Sequence, residues 1–127
     1  MKTIDIKGKP YVTVNERLKF FRENFPDFSL ETEVIKFTEK QVITYEGKQF
    51  KKDADILLKA IIKDKEGRII ATGLSYEKEG STFINQTSFV ENAETSAWGR
   101  ALGNMGIGID ASVASAEEVL NAISNQK

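Results

Sequence analysis

Ile56-Leu57-Leu58-Lys59-Ala60-Ile61-Ile62-Lys63-Asp64-Lys65-Glu66-Gly67-Arg68-Ile69-Ile70-Ala71-Thr72-Gly73-Leu74-Ser75-Tyr76 decides how the chain is read. Branched aliphatic residues dominate both arms of this stretch, as strands favour. Asp64-Lys65-Glu66-Gly67 between them is a hairpin loop. Leu57, Lys59, Ile61 and Lys63 share one strand face. In the second strand Ile70, Leu74 and Tyr76 share a face with Thr72, and Ile69, Ala71, Gly73 and Ser75 share the other. The pair predicts an antiparallel sheet with one face packed on helices and one partly open.

Upstream, Val34–Thr38 and Gln41–Tyr45 have strand composition, with Glu39-Lys40 as a tight turn. Residues 46–55 are polar and carry Lys48, Lys51 and Lys52, and read as a loop or frayed edge. Earlier still, Thr13-Val14-Asn15-Glu16 is a capping box. Val14, Leu18, Phe21 and Phe25 follow at helical spacing, and Pro26 stops the helix.

Downstream, residues 77–86 form a polar connection. Ser88-Phe89-Val90-Glu91 is a second capping box. Ala93, Ala97, Ala101 and Met105 recur every four residues, with Trp98 and Leu102 widening the stripe. Gly106 and Gly108 end that helix. Ser115-Ala116-Glu117-Glu118 caps a short helix through Val119, Leu120 and Ile123. The expected fold is α+β in one domain over residues 1–127. It has an N-terminal helix, an antiparallel three- to four-stranded meander, a long helix on the sheet and a short C-terminal helix.

Composition narrows the chemistry. The 127 residues include no His and no Cys. That removes thiol nucleophiles, disulfides, Cys-rich zinc sites and every imidazole base. The carboxylates form no recognisable metal cluster, so no metal, no cofactor and no enzyme activity are expected. The start of the chain lacks a signal-peptide apolar core, and no apolar run approaches the ~20 residues of a membrane span. The protein is therefore expected in the cytoplasm. Its net charge of −1 divides unevenly. Residues 1–80 hold 16 basic and 14 acidic side chains, whereas 81–127 hold two and five. Arg100 is the one cation inside that second part apart from the terminal Lys127.

Two groups of residues are candidates for binding. On the long helix Asn92, Ser96, Gly99, Arg100 and Gly103 lie on one side. Glycines inside a helix cost about 1 kcal/mol each against Ala, which points to a close approach by another backbone or a ligand. A guanidinium above such a floor suits a phosphate. The structural alternative is a helix lying close on a sheet, with Arg100 paired to Glu77, Glu79 or Glu94. The second group is basic: Lys59, Lys63, Lys65, Arg68 and Lys78, with Lys51 and Lys52 before them. It either tracks a sugar–phosphate backbone or is simply solvated. Trp98, Phe83, Phe89, Tyr45 and Tyr76 are candidates for base stacking. Trp98 also fits the core or a subunit contact.

From Asp64 to Gly108, the hairpin, Gly73 and the run Asn92-Ala93-Glu94-Thr95-Ser96-Ala97-Trp98-Gly99-Arg100-Ala101-Leu102-Gly103 resemble the single-strand annealing superfamily. That superfamily includes the eukaryotic Rad annealing protein, Erf and Red-beta, and the run also resembles small phage single-stranded DNA-binding proteins. The resemblance covers roughly Val12 to Ile123. It implies binding and annealing of single-stranded DNA in phage recombination or replication, inside an infected bacterial cell. It also implies assembly into rings or filaments and contacts with other phage recombination or replication proteins. Under it Arg100 holds phosphate, with Lys51, Lys52, Lys59, Lys63 and Arg68 along the backbone and Asn92, Ser96, Gly99 and Gly103 allowing close approach. Gly99 departs from the basic residue common before that Arg. The competing readings are an OB-like strand-coating barrel and a phage interaction or inhibitor protein that binds no DNA.

Overall fold

The computed structural model describes residues 1–80, 85–110 and 112–124, with the side chains of 85–87 left aside. The two strands that open the reading are β6 (Asp55–Lys63) and β7 (Ile69–Lys78) in chain order, paired antiparallel. Asp64 closes their loop. Its carboxylate accepts the backbone N–H groups of Glu66 at 3.0 Å and Arg68 at 2.9 Å.

β6 is the centre of a three-stranded sheet. Its other neighbour is β3 (Ser29–Thr38), giving the order β3-β6-β7. The expected hairpin about Glu39-Lys40 does not form. β3 runs alongside almost the whole of β6. β4 (Gln41–Tyr45) instead pairs with β5 (Lys48–Lys52), which lies in the stretch read as a loop. The turn explains the choice. Glu46 and Gly47 have φ of 50° and 75°, the left-handed pair of a type I′ turn, whose twist matches that of a two-stranded ribbon. A further hairpin, β1 (Thr3–Ile6) with β2 (Lys9–Val12), precedes the first helix and was not anticipated. Among the described residues the strands form an open three-stranded sheet and two separate hairpins. That order is not the closed barrel of an OB-like protein.

The first and last helices start where their caps predict. α1 (Val14–Asn24) begins with Thr13 Oγ1 accepting the Glu16 N–H at 3.2 Å. α3 (Ala116–Ser124) begins with Ser115 Oγ accepting from Glu118 N at 3.2 Å. α2 spans Asn85–Asn104, but Ser88 breaks it with φ −141° and ψ 31°. The regular run therefore starts just after the residue read as its cap. At the far end Gly106 has φ 106°. The Ile107 N–H reaches Leu102 O and the Gly106 N–H reaches Gly103 O, a Schellman stop.

The core lies on one face of the sheet. Ile56, Leu58, Ala60 and Ile62 of β6 are buried against Ala93, Ala97, Ala101 and Leu102 of α2, with Phe21 of α1 and Ile107. Phe25 and Phe28 extend it by packing on Phe21. The alanine stripe sets how close α2 lies. A Cβ on Gly73 would stand 2.5 Å from both Ala97 O and Ala101 N, so the helix backbone rests directly on β7. Trp98 Nε1 reaches Thr32 Oγ1 at 2.8 Å, and Asn104 Nδ2 reaches Thr72 O at 2.7 Å. The opposite face carries Leu57, Lys59, Lys63, Leu74 and Tyr76, of which Leu74 and Tyr76 are half or more exposed, together with the buried Ile61.

Gly73→Val should lower stability by about 2–3 kcal/mol in urea unfolding, because the obstructing atoms are helix backbone and have no rotamer to escape into.

Candidate functional site

The small-residue side of α2 is occupied by the chain itself. A Cβ on Gly99 would stand 2.6 Å from Val14 Cγ2, and one on Gly103 would stand 2.7 Å from Arg17 Nη1. The close approach that two helix glycines demand is made by α1. At its centre lies Arg17, fully buried. Nη1 donates to Gly99 O at 2.8 Å. Nη2 donates to Val113 O at 2.9 Å and Ser112 O at 3.0 Å, with a longer contact to Gly108 O at 3.4 Å. Burial pushes the guanidinium pKa below its usual value, and the charges of Glu118 and Glu117 oppose that shift. Sequence reasoning did not single out Arg17. The signal was present: Val14, Arg17 and Phe21 fall on one helical face, so a charge there has to be buried with partners.

α3 completes this junction. Both Glu117 carboxylate oxygens accept the Val14 N–H, at 3.0 and 3.2 Å, which places negative charge at the α1 N-terminus. Arg100 pairs with Glu118 at 3.0 Å, a partner outside the three carboxylates considered from sequence. Asn92 and Ser96 line a cleft of about 130 Å³ with Glu117, Leu120 and Asn121. Ser96 and Arg100 also line one of about 230 Å³ with Tyr76, Glu77 and Glu118. Buried Glu77 accepts from Asn121 Nδ2 at 2.6 Å. Glu77 and Glu118 thus share the cleft of Arg100, the helix guanidinium expected to hold phosphate, and Glu118 pairs with it.

Lys59 and Lys63 stand on the uncovered sheet face, opposite the face that carries α2. Lys63 pairs with Glu31 at 3.1 Å, and Glu33 is the register partner of Lys59. On the same face Tyr76 donates its hydroxyl to Asp55 at 3.0 Å. Arg68 is exposed in the β6–β7 turn. The expected residues therefore fall into separate places: the α2–α3 groove, the open sheet face with its turn, and the β4–β5 hairpin that carries Lys51 and Lys52.

That hairpin is an arm. Every residue of β4 and β5 is exposed. At 3.4 Å per residue, five residues reach about 17 Å. Lys40 at its base pairs with Glu79 at 3.5 Å. Lys48, Lys51 and Lys52 make no ion pair among the described residues, and Glu46 is the only acid on the ribbon between them and Gln41. Tyr45 is 66% exposed and Phe50 52%. Of the other aromatic candidates, Phe89 stacks on Phe37, Trp98 packs against the core, and Phe83 lies outside the described residues. Phe50 and Lys48 were not named as site residues from sequence, because the stretch read as a loop and its exposed face was not visible.

Among the described residues no cluster of His, Cys, Asp or Glu is arranged to hold a metal ion, and no helix is long and apolar enough to cross a membrane.

Comparison with known families corrects one expectation. Residues 49–105 match the model of a family described as Slr1353 N-terminal dsRNA-binding domain-like. The match runs from β5 through the end of α2, just under half of the chain. A search of curated proteins finds no match. The run of residues 92–103 that suggested the single-strand annealing superfamily thus falls within a different family's model, which removes the support for the annealing activity, phage setting and ring or filament assembly implied by that resemblance. The packing explains why the pattern misled. Gly73, Ala97 and Ala101 are what a helix needs to lie on a strand, and Gly99 and Gly103 are what α1 needs to cross it.

Two outcomes are expected. Arg17→Met should cost about 3–5 kcal/mol in urea unfolding, since it leaves Gly99 O, Ser112 O and Val113 O buried without a donor. The hydrogen bond to Asp55, followed by desolvation and the Asp55 charge, holds the Tyr76 phenol above its usual pKa. The favoured form is the protonated one, so this contact is complete below the ordinary phenol pKa and lost as pH rises through the folded value. Asp55→Asn should bring the Tyr76 pKa down in a ¹³Cζ-tyrosine NMR titration.

Proposed function

We propose that the protein binds nucleic acid, single strands in particular, and that the β4–β5 arm makes the main contact. The observation that carries this reading is the exposed lysine set Lys48, Lys51 and Lys52 on a ribbon with one acid. Lys48 and Lys52 lie on one ribbon face and Lys51 on the other, from the alternation of the strand. A flexible single strand can follow both faces. Phosphate contacts of this kind release counterions and need no bond chemistry. The match of residues 49–105 to a domain described as dsRNA-binding-like supports nucleic acid as the partner class, and it includes Lys51 and Lys52. The other two places are less suited to a polyanion. Glu77, Glu117 and Glu118 border the α2–α3 groove, and Glu31, Glu33 and Asp55 share the open sheet face with its lysines. The chain contains no His and no Cys, which accords with holding nucleic acid rather than reacting with it.

Binding of a labelled oligonucleotide across a salt series tests this. Each phosphate contact contributes roughly 0.7 to the slope of log K against log salt for single strands. Converting Lys48, Lys51 and Lys52 together to Gln should reduce that slope by about 2. Absence of wild-type binding at low salt and high protein concentration overturns the proposal.

A further inference from the structure

The lysines account for one property of the arm and leave the other unexplained. Ile43, Tyr45 and Phe50 share a ribbon face with Lys48 and Lys52, because Ile43 pairs with Phe50 and Tyr45 with Lys48. All of these are exposed, the three apolar side chains by half or more. An isolated two-stranded hairpin is marginal in water, and apolar side chains placed on it gain nothing from the core. Turning them inward would be simple for a strand with a period of two. Yet the opposite ribbon face, with Val42, Thr44, Gln49 and Lys51, is exposed as well, so among the described residues neither face of the arm is covered.

The charge identifies the occupant. Lys48 and Lys52 stand two residues either side of Phe50, each about 7 Å along the strand from it. Tyr45 is diagonal to Phe50 across the pair, about 7–8 Å away and within reach of an aromatic ring. A ligand lying on this face meets cation, ring, cation in succession, with a second ring alongside. A nucleic acid strand with its bases unpaired offers the complement: phosphates for the lysines and flat apolar faces for the rings. A duplex presents phosphates but keeps its base faces stacked inside.

We infer that Tyr45 and Phe50 form a stacking platform for unpaired bases, which makes the arm a discriminator between single-stranded and paired nucleic acid. The inference rests on the nucleic-acid reading above and adds the residues that set its preference.

Two oligonucleotides of equal length separate the two statements: an oligothymidylate, and a fully abasic strand with the same phosphates and no bases. Fluorescence anisotropy at low salt is read for wild type, for Tyr45→Ala/Phe50→Ala, and for Lys48→Gln/Lys52→Gln. Wild type should bind the oligothymidylate about tenfold tighter than the abasic strand or better. The aromatic variant should bind both strands at the wild-type abasic level. The lysine variant should weaken both and keep the ratio. A paired duplex of the same length should bind wild type no better than the abasic strand does, at matched phosphate number. Equal wild-type affinity for the two strands, a ratio that survives in the aromatic variant, or a preference for the duplex overturns the platform and leaves nucleic-acid binding intact. No binding to any strand overturns both. The substituted side chains are exposed on the ribbon, and circular dichroism beside each titration confirms that the body of the protein is unchanged.

Discussion

The arrangement depends on a buried cation. Arg17 enters the junction of α1, α2 and the segment before α3 with no exposed surface, and its guanidinium is held by backbone carbonyls rather than by a carboxylate. Burying a charge without partners is prohibitive, so the carbonyls of Gly99, Ser112 and Val113 have to be where they are. That requirement fixes the crossing of α1 on α2 and the path of the chain after α2. It also sets the small residues. With any side chain at Gly103, the guanidinium has no room. Glu117 and Glu118 oppose the desolvation from a distance while making their own contacts to Val14 N and Arg100.

This junction uses up much of what looked like a binding surface. Gly99 and Gly103 face α1, Arg100 faces α3, and Asn92 and Ser96 line clefts that α3 shares. The α2 face that suggested a ligand is an internal surface between helices, rimmed by carboxylates. The sheet's outer face is mixed in charge, with Lys63 already paired to Glu31. The β4–β5 arm differs from both. It makes little use of the body and presents its lysines and rings to solvent, so its composition is explained better by a partner than by packing.

Helix boundaries were largely legible because they are local. Thr13 and Ser115 stand at the starts of their helices, Ser88 marks the break inside α2, and Gly106 ends α2, since a cap needs only the few residues beside it. The β6–β7 hairpin was legible for the same reason: alternation and a closing Asp64 lie within one short stretch. Strand partners farther apart were not. β3 and β4 look like a hairpin in composition, but β3 is claimed by β6, and the choice turned on the left-handed pair at Glu46 and Gly47. Among the site residues, Lys51, Lys52 and Tyr45 were picked out from sequence. Their common ribbon, and Phe50 and Lys48 with them, were hidden by reading that stretch as a loop.

By itself the sequence determined the helices, the β6–β7 hairpin, the caps of α1 and α3, the alanine stripe that lets a helix lie close, and the absence of imidazole and thiol chemistry. Each follows from neighbours a few residues apart or from composition. Only the tertiary structure decided what approaches the small residues of α2, which carboxylate takes Arg100, and which basic residues are left to solvent. Those outcomes depend on contacts between residues 18 to 103 positions apart, such as Arg100 with Glu118, Arg17 with Gly99 and Val14 with Glu117, and no local pattern encodes which distant partner will arrive.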